Sequence, residues 1–90
     1  MVTVRLFAAF REAAGKKETD ISAKNIEELI RLLIARYKKL APLLIKNTDP
    51  LELEDIIVLV NGRSIWYLKG VETKLKEEDV VSIFPLIGGG

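Results

Sequence analysis

Asn25-Ile26-Glu27-Glu28-Leu29-Ile30-Arg31-Leu32-Leu33-Ile34-Ala35-Arg36-Tyr37-Lys38-Lys39-Leu40 decides the fold, because it is the one long stretch of the chain with a helical period. Ile26, Leu29, Ile30, Leu33, Tyr37 and Leu40 fall at i, i+3, i+4, i+7, i+11 and i+14, a continuous apolar stripe. Arg31, Lys38 and Lys39 occupy other faces. Asn25 is a good N-cap, and Glu28 three residues later completes a capping-box pattern. Ala41-Pro42 follows. A residue before proline is pushed out of the α region, so the helix is expected to end by about Leu40.

Outward from this helix the pattern turns to strands. Val2 to Ala8 sets Val2, Val4 and Leu6 against Thr3, Arg5 and Phe7, a period of two rich in β-branched residues. Ala9 to Ala14 is short and helix-prone, and Gly15 stops it. Glu18 to Ser22 is a more polar strand candidate, able to pair antiparallel with the first. Residues 43–55 carry Asn47, Asp49, Pro50 and several acids, and read as a loop. Ile56 to Val60 is an unbroken apolar run that suits a strand covered on both faces, or covered on one and used for binding on the other. Asn61-Gly62 is a strong hairpin signal, since a type I′ turn needs positive φ at both positions. Ser64 to Tyr67 is the expected return strand, Lys76 to Asp79 a charged turn, and Val80 to Leu86 the last strand.

One helix has to cover one face of a small mixed sheet, and first and last strands lying parallel in its centre is the economical arrangement. The expected fold is therefore α+β: a β-grasp, or ubiquitin-like, sheet of four to five strands with one long helix on one face. The domain is expected over residues 1–87, followed by a flexible glycine tail at residues 88–90.

Composition narrows the function. Ninety residues, 49% of them hydrophobic, make one domain with a real core. The 14 basic and 13 acidic side chains are interspersed, with no basic stripe, so nucleic acid is not an expected partner. There is no cysteine and no histidine, which removes thiolate chemistry, the commonest general base and the commonest metal ligand. No carboxylate cluster stands out as a metal site, so no bound metal or cofactor is expected. No apolar run approaches the ~20 residues that span a bilayer, and nothing resembles a signal peptide. The expectation is a cytoplasmic protein with no membrane partner.

Two features point to function. If Val2, Val4 and Leu6 face the helix, the pleat sends Phe7 to the opposite face, and the same alternation turns Phe84 outward on the last strand. An aromatic pair on a sheet face without a second layer suggests a docking surface. The alternative is that residues 43–55 fold over it as a minor core. Arg11 and Glu12 lie just beyond, as a polar rim or a solvated turn. The second feature is Gly88-Gly89-Gly90. Glycine loses the most entropy on ordering, so such a tail does little for a fold. It does offer a thin lead to a carboxylate that can thread a narrow channel. A frayed end or an engineered scar are the other readings, but no tag or Ser-rich linker accompanies it. The acidic pairs Glu27-Glu28, Glu54-Asp55 and Glu77-Glu78 read as solvated surface, and Trp66-Tyr67 as partial core rather than a binding pair. No nucleophile–base–orienter set is present, so catalysis by this chain alone is not expected.

The chain resembles the small subunit of molybdopterin synthase, the MoaD group of ubiquitin-like sulfur carriers. The resemblance lies in Val2-Thr3-Val4-Arg5-Leu6-Phe7-Ala8-Ala9-Phe10-Arg11-Glu12 with Gly15, in Val60-Asn61, in Leu75 to Asp79, and in Phe84-Pro85 leading into Gly89-Gly90. Two positions depart: Leu86 stands where that group often has a second proline, and Glu78-Asp79 where it often has Gly-Asp. The resemblance implies that an adenylating, ubiquitin-activating-like enzyme uses ATP on the Gly90 carboxylate. Sulfur then replaces AMP to leave a thiocarboxylate, and the tail, with Gly88 and Gly89, enters the large subunit of molybdopterin synthase. It also implies that Phe7, Arg11, Phe84, Pro85, Leu86 and Ile87 form the partner interface. Related carriers serve thiamin synthesis or tRNA thiolation, and some are attached to lysines as protein modifiers.

Overall fold

The central ladder of the computed structural model, which describes residues 1–86, joins the two ends of the chain. Strand β1 (Val2–Leu6) lies parallel to β7 (Val80–Pro85), with Thr3 opposite Val80 and Leu6 opposite Ile83. β2 (Glu18–Ile21) pairs antiparallel with β1 on one side, and β5 (Ile56–Val60) antiparallel with β7 on the other. A short β6 (Arg63–Ser64) closes a five-stranded sheet in the order β2-β1-β7-β5-β6. This is the expected β-grasp.

Between β1 and β2 runs α1 (Ala9–Ala14), ended by Gly15 at φ 73°. The long stripe forms α2 (Ile26–Arg36), whose Ile26, Leu29, Ile30 and Leu33 are buried. They meet Val2, Val4, Leu6, Val58, Val81 and Ile83 from the sheet in one core. Asn25 caps the helix by accepting from the Glu28 N–H at 2.8 Å, and Glu28 accepts from the Lys24 N–H at 2.7 Å, one residue earlier than an ideal capping box.

The helix is shorter than expected. It stops at Arg36, where Tyr37 leaves helical geometry (φ −123°, ψ 85°), and the chain continues as a 3₁₀ turn over Lys38–Leu40. Tertiary bonds hold this end: the Tyr37 hydroxyl donates to Thr19 Oγ1 at 3.1 Å, and the Arg36 guanidinium donates to the Asp20 carbonyl at 2.7 Å. Ala41 is in the α region despite preceding proline, because Pro42 sits in the first turn of a new helix, α3 (Ala41–Leu44), where no N–H is needed.

Residues 43–55 also differ from the expected loop. After α3 they form a separate hairpin, β3 (Ile45–Thr48) and β4 (Leu51–Leu53). Leu44 and Leu51 enter the core, and the Thr48 carbonyl accepts from Arg31 of α2 at 2.8 Å, so this hairpin belongs to the helix side of the sheet. Beyond β6 the expected strand gives way to a 3₁₀ turn at Ile65–Tyr67, whose start is capped by Ser64 Oγ accepting from the Trp66 N–H at 3.2 Å.

Candidate functional site

The sheet face away from α2 carries the candidate site. Val2, Val4, Leu6, Val81 and Ile83 all point to the core, as the alternation requires, so their neighbours face outward. Phe7, one residue past β1, and Phe84 on β7 stack with ring centroids 4.2 Å apart and planes 12° from parallel. Both rings are half-buried. The Arg11 guanidinium lies 5.7 Å from the Phe7 ring centre, and its Nε donates to the Leu6 carbonyl at 3.3 Å. A cation over an aromatic face at an exposed site is worth about 0.5–1 kcal/mol. The structure thus brings Phe7, Phe84 and Arg11 into one layered stack. The β3–β4 hairpin forms a sheet of its own with Leu51 in the core on the α2 side, and its end at Leu53 reaches the edge beside Ile57 rather than the stack.

A tight turn aims this stack. The Phe10 N–H donates to the Phe7 carbonyl at 3.1 Å, and Ala8 between them holds φ 52° and ψ −128°, the geometry of the first central position of a type II′ turn. The turn lifts α1 off the end of β1 and leaves Phe7 on the open face with Arg11 above it.

Ile57 extends the row. It lies opposite Phe84 in the β5–β7 register and is half-buried, so Phe7, Phe84 and Ile57 cross three strands. The run Ile56 to Val60 announced a strand, but the partner of Ile57 depends on a register no local pattern gives. Pro85 is half-buried at the end of β7 and Leu86 is 54% exposed. Ile87, Gly88, Gly89 and Gly90 lie outside the described residues. Trp66 and Tyr67 are not partial core: they are 62% and 86% exposed, because the 3₁₀ turn replaces the strand that would have turned one of them inward.

No helix among the described residues is long and apolar enough to cross a membrane, and none of their His, Cys, Asp or Glu side chains group in threes to hold a metal.

A profile of the ThiS family matches residues 4–90. The chain is 37% identical to small archaeal modifier protein 3 of Haloferax volcanii, over 97% of this chain and 96% of that one. The solution structure of small archaeal modifier protein 1 from Methanosarcina acetivorans superposes with a TM-score of 0.90 at 36% identity, covering 99% and 95% of the two chains. A Pyrococcus furiosus structure, provisionally described as molybdopterin converting factor subunit 1, superposes with a TM-score of 0.73 at 30% identity, covering 93% and 94%.

Proposed function

This chain belongs to the ThiS family of ubiquitin-like sulfur carriers, and from that membership we propose that it carries sulfur as a thiocarboxylate on Gly90. The observation that carries the proposal is a family match running through residue 90 on a chain that ends in three glycines and contains no cysteine. The Gly90 carboxylate attacks the α-phosphate of ATP in an adenylating partner and releases pyrophosphate. A hydrosulfide-equivalent donor then attacks the acyl carbon, the bond to AMP breaks, and the thiocarboxylate remains. Glycine at positions 88 to 90 lets the backbone enter a channel too narrow for side chains. Phe7, Arg11, Phe84, Pro85, Leu86 and Ile87 dock the partner. The partners supply the catalytic groups, and ATP is their substrate rather than a cofactor held here.

The destination proposed for the sulfur is the pterin precursor of the molybdenum or tungsten cofactor, with this chain as small subunit of molybdopterin synthase. The opening strand, the tail and the Pyrococcus furiosus likeness support that reading. The names of the two archaeal relatives favour a second outlet for the same activated carboxyl: attack by a lysine amine, which makes the chain a protein modifier. Delivery to tRNA or thiamin uses the thiocarboxylate again.

The test is the intact mass of the chain after incubation with ATP, a sulfur donor and its adenylating enzyme. Replacement of one oxygen by sulfur is expected, and deletion of Gly90 is expected to abolish it. An unchanged mass with an enzyme proven active on another carrier would refute the carrier reading. Gly90-dependent isopeptide ladders on other proteins separate the modifier outlet from the pterin one.

A further inference from the structure

Two motifs set aside as surface and core meet in space. Leu53, Ile57, Trp66 and Leu86 line an open groove of about 350 Å³, with Glu54 and Asp55 at its edge. A second groove of about 320 Å³, which includes Phe10, Leu43 and Pro85, shares Glu54, Asp55 and Leu86 with the first. The other acidic pairs are engaged. Glu27 pairs with Arg31 at 3.0 Å, Glu28 caps α2, and Glu77 lies 3.8 Å from the amino terminus. Glu54-Asp55 is the pair in which neither carboxylate has a hydrogen bond or ion pair among the described residues.

We propose that the Trp66 groove receives an arginine side chain of the adenylating enzyme, laid on the indole and paired with Glu54 and Asp55. This deepens, and rests on, the sulfur-carrier reading. The reach of the chain brings the groove within the footprint of such an enzyme. Leu86 stands four residues before Gly90. At roughly 3.3–3.6 Å per residue the Gly90 carboxylate extends at most about 14 Å beyond it. A standard interface covers about 800 Å² per partner, a disc of roughly 16 Å radius. An enzyme that holds Gly90 in its active site therefore covers the ground around Leu86, and both grooves touch Leu86. Ile57 joins the Trp66 groove to the Phe7–Phe84 stack, so one surface is continuous from Arg11 to Trp66.

Chemistry selects the occupant. A purely apolar side chain would bury two carboxylates without partners, a penalty of several kcal/mol per ion. An acidic side chain would add repulsion. A guanidinium stacks on indole and offers a planar fork of donors to carboxylates, which a lysine ammonium does not.

The experiment follows ATP–pyrophosphate exchange by the adenylating enzyme against concentration of the full-length chain. The variants are Trp66→Ala, the double change Glu54→Lys with Asp55→Lys, and a control that alters net charge equally elsewhere, Glu72→Lys with Glu77→Lys. The expected result is a rise in KM of about tenfold or more for the first two, with kcat within about twofold. The control stays near the parent, and the parent's KM rises with salt more steeply than that of the Glu54/Asp55 variant. Trp66, Glu54 and Asp55 lie outside the core, so thermal midpoints near the parent's confirm that folding is intact. KM values within about twofold of the parent for both groove variants would overturn the inference and leave the carrier reading standing. A parent chain that supports no exchange would remove the carrier reading itself.

Discussion

Glu78 holds φ 74° in the turn before β7, a left-handed geometry that suits glycine. The molybdopterin-synthase group often places Gly-Asp here, and this chain keeps only the aspartate. For a side chain that cannot relieve the clash, the left-handed region costs about 1–2 kcal/mol. What the turn requires is the backbone: the Glu78 N–H donates to the Met1 carbonyl at 3.2 Å, and its side chain has no hydrogen bond among the described residues. Glu78→Gly is therefore expected to stabilise the protein. Part of the relief is offset by the greater freedom of glycine in the unfolded chain, which leaves a net gain of about 0.5–1 kcal/mol. Equilibrium urea unfolding checks this: the midpoint should rise while the slope stays constant, and a lower midpoint would show that the Glu78 side chain does something the geometry does not reveal.

Among the elements, the joint between β5 and β7 depends on one asparagine and one aspartate. Asn61 at φ 50° and Gly62 at φ 86° make the turn into β6, as the Asn-Gly pair predicts. Asn61 also reaches across: its Oδ1 accepts from the Val80 N–H at 2.9 Å and its Nδ2 donates to Asp79 Oδ1 at 3.0 Å. Asp79 Oδ2 accepts from the Lys76 N–H at 2.8 Å. That backbone donor first, and the Asn61 amide second, hold the Asp79 carboxyl below the usual carboxylate range. A depressed folded-state pKa stabilises the protein fully above the ordinary carboxylate pKa, and the contribution fades as pH falls through the lowered value. Asp79→Ala is expected to cost about 1–2 kcal/mol near neutral pH through two lost hydrogen bonds, and less on acidification. Urea unfolding of both proteins at about pH 7 and about pH 3 measures the gap, and a gap that widens in acid would contradict the assignment. These elements also mark what the sequence discloses. Asn61-Gly62, the alternation of β1 and the capped start of α2 are local patterns and appear where they were read, whereas the end of α2 at Arg36 is set by tertiary bonds from Arg36 and Tyr37 to β2. The β3–β4 hairpin has no such signal, because Leu44 and Leu51 find their burial against a distant helix. Phe7 and Phe84 were legible as a pair because parallel end strands fix their register. Trp66 was not, because a 3₁₀ turn ends the alternation that a strand reading assumes.

At the scale of the molecule, the structure is one-sided. The core lies between α2 and the sheet, while on the opposite face the described residues place the Phe7–Phe84 stack, Ile57 and the exposed Arg5–Glu18 ion pair. This separates stability from docking. Leu33 is fully buried beneath α2, and Leu33→Ala is expected to cost about 2–5 kcal/mol through lost burial and a cavity. Phe84→Ser removes a stacked pair on the open face, worth about 0.5–1.5 kcal/mol beyond its partial burial, so the protein should stay folded with a modestly lower midpoint. Yet Phe84 sits on β7, two residues before Leu86 and at the root of the tail, on the ground that the partner proposed for Gly90 would cover. The two substitutions should therefore move opposite readouts. Leu33→Ala lowers the unfolding midpoint strongly and leaves the KM of the adenylating enzyme for the remaining folded chain near the parent value. Phe84→Ser raises that KM by about tenfold or more, as loss of a central aromatic contact does. If Phe84→Ser instead unfolds the protein as readily as Leu33→Ala, the open face is a second core, and the partner must approach the tail from the helix side.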